Sequence, residues 1–515
     1  MGYLKENYRF GKANCKKKHG AISQLIRVLE SVCAEICGVK RGKPNYVILA
    51  LLDAAKAFDR MNRKVLLDNL WEKGIRGKLF EFICGFFFNR RQRVHVGQDG
   101  VSKEVEPTNG GPQGSLIIMF CWLVYIDDLP EGVHHAGLSL FMDDVALWIS
   151  HPNPDEAIRL LNADLDAIYS WSVFSTVCFD ALKYHLFDFG KLNFLQDLMD
   201  TVIFGGSHPQ WSSHAKFLGA TLDTKLDLLR CLKDSAEKAE SAQWRVLNHA
   251  RQRTGASPAT LCIIFAAYVL SVMTYGSELW IFQLKKHFSH KGSVRSKYRA
   301  NWDRLNDVYM KCARRILGAP KKACTDAILI RLGWMPLYHL LVYRALIWYV
   351  KGRKGLAGPA LQGLIHDMQD RDSKHWKSSR FFKPASQILS HLAELDPDNP
   401  DFFSMDIPML KTRLRNLMYV DLTDSWSKSS MAAVTHIIHP EWQPRKLAVS
   451  MHSRFSHVMY NCLAVNRAPF RTWLYKIKRS KSKLCRYGCN CQEDFSHVLF
   501  FCASVIDERK ALKEC

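Results

Sequence analysis

Two hydrophobic rhythms divide the chain. In the first half, short β-like runs at 46–52, 93–96, 138–141 and 145–149 alternate with stretches in which apolar residues recur every three to four positions. From about residue 226 onward the pattern is mostly helical. This is an α/β or α+β layout. One helix can be drawn in detail: it follows Asn62, with Met61, Val65, Leu66 and Leu70 at helical spacing and Gly74 as its stop. The apolar stretch 259–275 is about the minimum membrane-spanning length but carries Thr260, Tyr268 and Ser271, so it reads as a buried helix. The densest turn signals lie at 353–358 and 396–401 and suggest boundaries. Four segments are expected: 1–225, 226–350, 351–470 and 471–515.

Composition narrows the partners. With 48% hydrophobic residues in 515 the chain can bury several cores, which excludes a disordered tail. Lys and Arg number 72 against 49 Asp and Glu, a formal charge of +23, which favours a polyanionic partner. The 16 Cys are scattered except for one cluster near the C-terminus, and residues 1–5 show no apolar signal core. An intracellular protein of the nucleus and/or cytoplasm, without a membrane partner, is the expectation.

The chemistry lies in carboxylates. The run 46–52 ends in Asp53, followed by Ala57, Phe58 and Asp59. An acid at the end of a buried strand is either exposed there or neutralised by a cation, because burying it unpaired is costly. Phe141, Met142, Asp143 and Asp144 join two apolar strands, so two adjacent acids occupy a hairpin tip. A hard divalent cation such as Mg²⁺ would offset their repulsion. Tyr125, Ile126, Asp127 and Asp128 repeat the pattern, but Leu129, Pro130, Glu131 and Gly132 then end a regular element, which assigns these acids to a helix end or loop. Between the motifs, Gly110, Gly111, Pro112, Gln113, Gly114 and Ser115 form a turn where backbone can approach a ligand.

In this order the three motifs resemble motifs A, B and C of reverse transcriptases, in wording closest to the non-long-terminal-repeat, LINE-like retrotransposon group. Lys183 is similar to the motif D lysine, and Lys216, Phe217, Leu218 and Gly219 resemble the primer-grip hairpin. Tyr275 with Gly276 and Trp280, residues 314–318 and residues 332–337 look like the group's thumb and post-thumb segments. The resemblance implies an α+β right-hand polymerase palm with reduced fingers, a helical thumb and connection, and RNA-directed DNA synthesis by a two-metal mechanism. Asp53, Asp143 and Asp144 would hold two Mg²⁺, and Lys183 would assist the leaving pyrophosphate. Phe58 would stack under the sugar, and Gln113 with Gly114 would contact the nucleotide or template. The implied partners are an RNA template, a DNA primer and deoxynucleoside triphosphates.

The chain departs from that group in three places. Only residues 8–12 resemble the end of the finger motifs, residues 116–120 replace the usual continuation of motif B, and Met142 stands where Ala is usual. No endonuclease is recognisable either. These departures are expected of a copy truncated at its N-terminus, with activity reduced or absent; the alternative is a non-catalytic nucleic-acid-binding remnant.

The C-terminal cluster has the spacing C-x3-C-x7-H-x4-C through Cys485, Cys489, His497 and Cys502, with Cys491 as an alternative ligand. It is close to a zinc knuckle; the competing reading is a set of free thiols. Upstream, Arg471, Lys476, Lys478, Arg479, Lys481 and Lys483 interleave with Trp473 and Tyr475, which suits phosphate contacts with base stacking and equally a nuclear targeting run or a solvated face. A second basic stretch contains Lys285, Lys286, Lys291, Arg295, Lys297 and Arg299.

Overall fold

A computed structural model describes residues 20–37, 46–97, 100–179, 184–189, 201–251, 255–285, 293–356, 364–365, 378–396, 401–428, 435, 439–443, 458, 461–462, 470–476, 478–494 and 496–507. Mixed helix and sheet, compatible with an α+β class, is arranged in two compact units. One comprises Met1–Arg230 with Trp348–Ser386, the other Cys231–Ile347 with Gln387–Cys515.

The first unit carries the strands β1 (Tyr46–Asp53), β2 (His95–Val96), β3 (Gly100–Val101), β4 (Gly137–Phe141), β5 (Asp144–His151), β6 (His185–Asp188), β7 (Gln210–Trp211), β8 (His214–Phe217) and β9 (Ala220–Asp223). Five of them form one sheet in the order β4-β5-β1-β6-β7, antiparallel except for the β6–β7 pair. The run expected at 93–96 shrinks to two residues paired with β3, both of them exposed.

Around the sheet lie α1 (Ala21–Cys37), α2 (Ala57–Arg60), α3 (Arg63–Glu72), α4 (Gly77–Phe87), α5 (Leu116–Tyr125) and α6 (Pro154–Phe174). Ile48, Ala50 and Leu52 of β1 join a core with Leu66 and Leu70 of α3, Trp122 of α5, and Leu161 and Leu165 of α6. On the opposite face, α1 places the Arg27 guanidinium 5.4 Å over the Trp148 ring, and its Gln24 Oε1 accepts from Ser139 Oγ at 2.9 Å. Both faces are covered, so residues 47–52 are all buried and β1 reads as an unbroken apolar run. Asn62 caps α3, accepting from the Lys64 and Val65 amides, and the helix stops at Glu72, with Gly74 at φ 80° beyond it. The β8–β9 hairpin turns through Leu218 and Gly219, both at positive φ, the type I′ geometry that matches strand twist.

The segment 348–386 belongs to this unit. Buried Glu30 of α1 accepts from the backbone amides of Arg380 at 3.0 Å and Phe381 at 2.9 Å.

The second unit is helical, with α7 (Leu229–Ala242) leading into it and then α8 (Trp244–His249), α9 (Pro258–Thr274), α10 (Ser277–Leu284), α11 (Ser296–Leu317), α12 (Thr325–Leu332), α13 (Leu337–Arg353), α14 (Phe382–Glu394), α15 (Ile407–Ser427) and α16 (Arg471–Lys476). The stretch read as a buried helix is α9, and it is buried on one face only. Leu261, Phe265, Val269 and Met273 are buried, whereas Ile263 is 70% and Tyr268 47% exposed. Those buried positions recur every four residues; the π turn over Phe265–Leu270 widens the helix and keeps them in one stripe. Among the described residues no single helix is long and apolar enough to cross a membrane. The pair Pro258–Thr274 and Ser277–Leu284 reaches that length only across a 70° bend.

Candidate functional site

Strand pairing collects the acids. In the β1–β5 register Asp53 lies directly opposite Asp144, so both side chains belong to the same face of the sheet. Asp143 sits in the two-residue turn between β4 and β5, and its carbonyl accepts from the Ala54 amide at 3.2 Å. All three acids are half-buried. Met142, the other turn residue, takes φ 57°, and Lys56, just past Asp53, takes φ 53°. Left-handed backbone at non-glycine residues stores strain that surrounding structure must hold, a feature that clusters at functional sites. Asp53 and Asp144 thus share a face at one end of the sheet, with Asp143 in the adjoining turn.

The glycine-rich turn is strapped to the same segment. The Gly110 amide donates to Met61 O at 2.9 Å and the Gly111 amide to Phe58 O at 3.2 Å. Buried Arg63 donates to Gly110 O at 3.0 Å and Asn109 O at 3.2 Å. Gly110 is at φ 64°, and a Cβ there would meet the carbonyl oxygens of Phe58 and Asp59 at 2.5 Å, so the approach requires glycine. Phe58 is half-buried, its ring 5.7 Å from that of Trp122. Gln113 is exposed, and its Nε2 donates to Asp59 Oδ1 at 2.9 Å. Gly114, at φ 90°, faces open space. Sequence reading missed the Asp59–Gln113 pair; the only signal was that Asp59 follows the motif's aromatic residue directly.

Asp127 and Asp128 lie in the turn after α5, away from this group. Asp127 forms an ion pair with Lys73 at 2.8 Å, and Asp128 accepts from Trp171 Nε1 at 2.9 Å. Burial pushes the Asp128 carboxyl up, and the Trp171 hydrogen bond opposes that. Lys183 lies outside the described residues, as do residues 8–12, Lys286 and Lys291.

A second constellation stands at the C-terminus. One ligand atom each from Cys485, Cys489, His497 and Cys502 lies within 4.8 Å of the others, a cluster that can hold a metal ion such as zinc. A short hairpin bridged at Leu484 and Gln492 presents Cys485, whose amide donates to Cys491 O at 2.8 Å. The Cys491 side chain is exposed and stands outside the cluster, so the alternative ligand falls away. His497 is anchored through its amide to Asp494 Oδ1 at 2.8 Å, while its Nε2 is buried without a hydrogen-bond partner among the described residues. Cys502 Sγ stands 3.5 Å from Cys489 Sγ and 3.9 Å from Cys485 Sγ. Hydrogen bonds with Cys502 and then Ser504 draw the Cys489 thiol down to about 6, whereas burial first, and then Cys489, pushes Cys502 up. Three soft sulfurs and an orphaned imidazole nitrogen fit tetrahedral Zn²⁺. The hairpin is tied to α16 through Glu493, 1% exposed, which takes a bidentate bond from Arg486 and the Arg471 amide at 3.0 Å.

No protein-family model matches the chain. Over 237 residues, 46% of its length, it is 24% identical to a 115 kDa protein in the type-1 retrotransposable element R1DM of Drosophila melanogaster. The match covers 22% of that relative, so the chain spans about a fifth of its length. This weak similarity supports a retrotransposon-derived protein.

Proposed function

We propose that the chain is an RNA-directed DNA polymerase of retrotransposon origin, taking an RNA template, a DNA primer and deoxynucleoside triphosphates. The observation that carries this reading is the pairing of Asp53 with Asp144 across antiparallel β1 and β5, with Asp143 in the turn that leads into β5. The glycine-rich turn strapped beside them supports it. Those acids would hold Mg²⁺, which when bound lowers the pKa of the attacking 3′-hydroxyl and neutralises charge on the leaving pyrophosphate. The protein's own part is positioning. Half-buried Phe58 would pack beneath the sugar, Gln113 and Gly114 would meet the nucleotide or template, and Lys183 would screen the pyrophosphate. The cluster of Cys485, Cys489, His497 and Cys502 would hold a structural Zn²⁺. Its neighbours Lys476, Lys478, Arg479, Lys481 and Lys483 would grip phosphates.

The test is primer extension on an RNA template with Mg²⁺ and deoxynucleotides, against Asp143→Asn combined with Asp144→Asn. Extension by the wild type and its loss in the variant is the expected result. No extension with template binding intact would instead favour the non-catalytic binding remnant.

A further inference from the structure

Helix α4 is apolar on two faces. Ile83 and Phe87 turn inward and join the core of the sheet-bearing unit, whereas Leu79 is 54% and Phe82 57% exposed. With half-buried Phe86 they recur at i, i+3 and i+7, so one stripe of the helix looks outward. Trp71 of α3 stands on the flank of α4, 52% exposed; the Phe80 ring meets its edge with centroids 5.4 Å apart, and the Arg76 guanidinium lies 3.6 Å over one face. Together these side chains expose roughly 300–400 Å² of apolar surface, the size of patch that marks an interaction site.

Size, charge and shape choose the occupant. An interface of standard size takes about 800 Å² from each partner, of which about 450 Å² is apolar, and the patch supplies most of that share. At a formal charge of +23 two copies of the chain repel each other over most of their surface. Beside this stripe the exposed charges are Glu72, Arg76, Lys78 and Glu81, two of each sign, while Lys73 is spent on Asp127 at 2.8 Å. Two copies can therefore meet here without repulsion, and a nucleic acid finds no net positive field.

Shape adds self-complementarity. Gly85, three residues after Phe82, is exposed, and a Cβ added there would meet nothing within 4 Å, so the bare backbone leaves a recess beside the projecting rings. A two-fold contact requires one patch to carry both the projection and the recess. Antiparallel pairing of α4 about Phe82 sets Leu79 of each copy against Phe86 of the other, and the Lys78 stem over Gly85 of the other. We infer that the chain pairs with a second copy of itself through the outward stripe of α4, with Phe82 at the two-fold axis. The inference does not rest on the polymerase reading.

The experiment is sedimentation velocity of the full chain after nuclease treatment, in about 0.5 M salt and over about 1–50 μM protein; an apolar contact survives that salt, whereas bridging by nucleic acid does not. The mass should rise with concentration toward twice that of one chain. Phe82→Glu is expected to weaken association at least tenfold. Gly85→Arg should do the same by filling the recess, without lowering the melting temperature, because its side chain enters open space and any replacement of glycine favours the helix. Phe174→Glu, at a ring 73% exposed on α6, should leave the dimer unchanged and so separates this stripe from general stickiness. A photo-crosslinking side chain at position 82 should join residues 79–86 of the second copy, identified by mass spectrometry of a mixture of isotope-labelled and unlabelled chains.

A wild type that stays monomeric throughout overturns the inference, as does a dimer that disappears with nuclease or salt. A dimer undiminished by Gly85→Arg also overturns it, whether or not Phe82→Glu folds. A crosslink that lands elsewhere on the second copy shows a different interface, and one that lands only on other proteins makes the occupant a foreign partner.

Discussion

At Gly110 the backbone takes φ 64° while two carbonyl oxygens stand 2.5 Å from where a Cβ would lie. Gly110→Ala therefore carries the left-handed penalty of roughly 1–2 kcal/mol and a backbone clash besides. We expect a lower melting temperature and a turn detached from Phe58 and Asp59, read as faster amide exchange at Gly110 and Gly111. The run of glycines announced a turn; what made glycine obligatory was carbonyl oxygens some fifty positions earlier, invisible to any local pattern. Cys491 teaches the same lesson. Spacing left it as a ligand beside Cys489, and only the hairpin, which uses its carbonyl and turns its side chain outward, separates the two. Cys491→Ser should therefore retain one equivalent of zinc, and Cys485→Ser should lose it, measured by metal content after desalting. Loss in both would mean that Cys491 is a ligand after all.

Helices and strands with a strong periodic signal were the legible elements. β1, β4 and β5 stand within a residue or two of the apolar runs, and Asn62 begins α3 where the spacing put it. The acids at the strand ends were legible because a charge closing an apolar run is conspicuous. Their pairing across β1 and β5 was not, since register emerges only when both strands are in place. Equally hidden was the tie between α1 and residues 380–381 through Glu30. Burial pushes the Glu30 carboxyl up to about 7, outweighing the hydrogen bonds from Ser379 and the Arg380 and Phe381 amides that favour its charged form. The folded chain then holds a proton that the unfolded chain releases between about pH 4.5 and 7, so stability falls as pH rises through that window and levels off above it. The loss should be on the order of 1–3 kcal/mol. Glu30→Gln keeps an acceptor for both amides without the charge. Denaturant titrations at pH 5, 6, 7 and 8 should show a flatter profile for the variant; parallel profiles would mean that Glu30 stays ionised when buried.

Over the whole molecule, the mostly helical character of the second half was readable from residue 226 onward, but the return of Trp348–Ser386 to the sheet-bearing unit was not. That return depends on Glu30 and on contacts more than three hundred positions apart, for which a single sequence offers no signal. The C-terminal module raises a different question of scale, namely what holds a piece so small. Phe500 is 63% and Phe501 75% exposed, and Leu484 and Tyr487 are about half exposed, so the described residues bury little apolar surface there. The buried groups are instead Cys485, Cys502, His497 and Glu493, three of them members of the metal cluster. A module that, among its described residues, buries ligands rather than a core draws its folding energy from the metal. Chelation at pH 7 should therefore open it selectively. Trypsin should then cut after Lys481, Lys483 and Arg486, sites that resist in the zinc-loaded chain, while the unit containing the five-stranded sheet keeps its digestion pattern and re-added zinc restores protection. Mass spectrometry of the timed digest reads both units at once. Resistance unchanged by the chelator would show that the Arg486–Glu493 pair and the hairpin suffice without metal, and that the four ligands are free thiols and a packed imidazole.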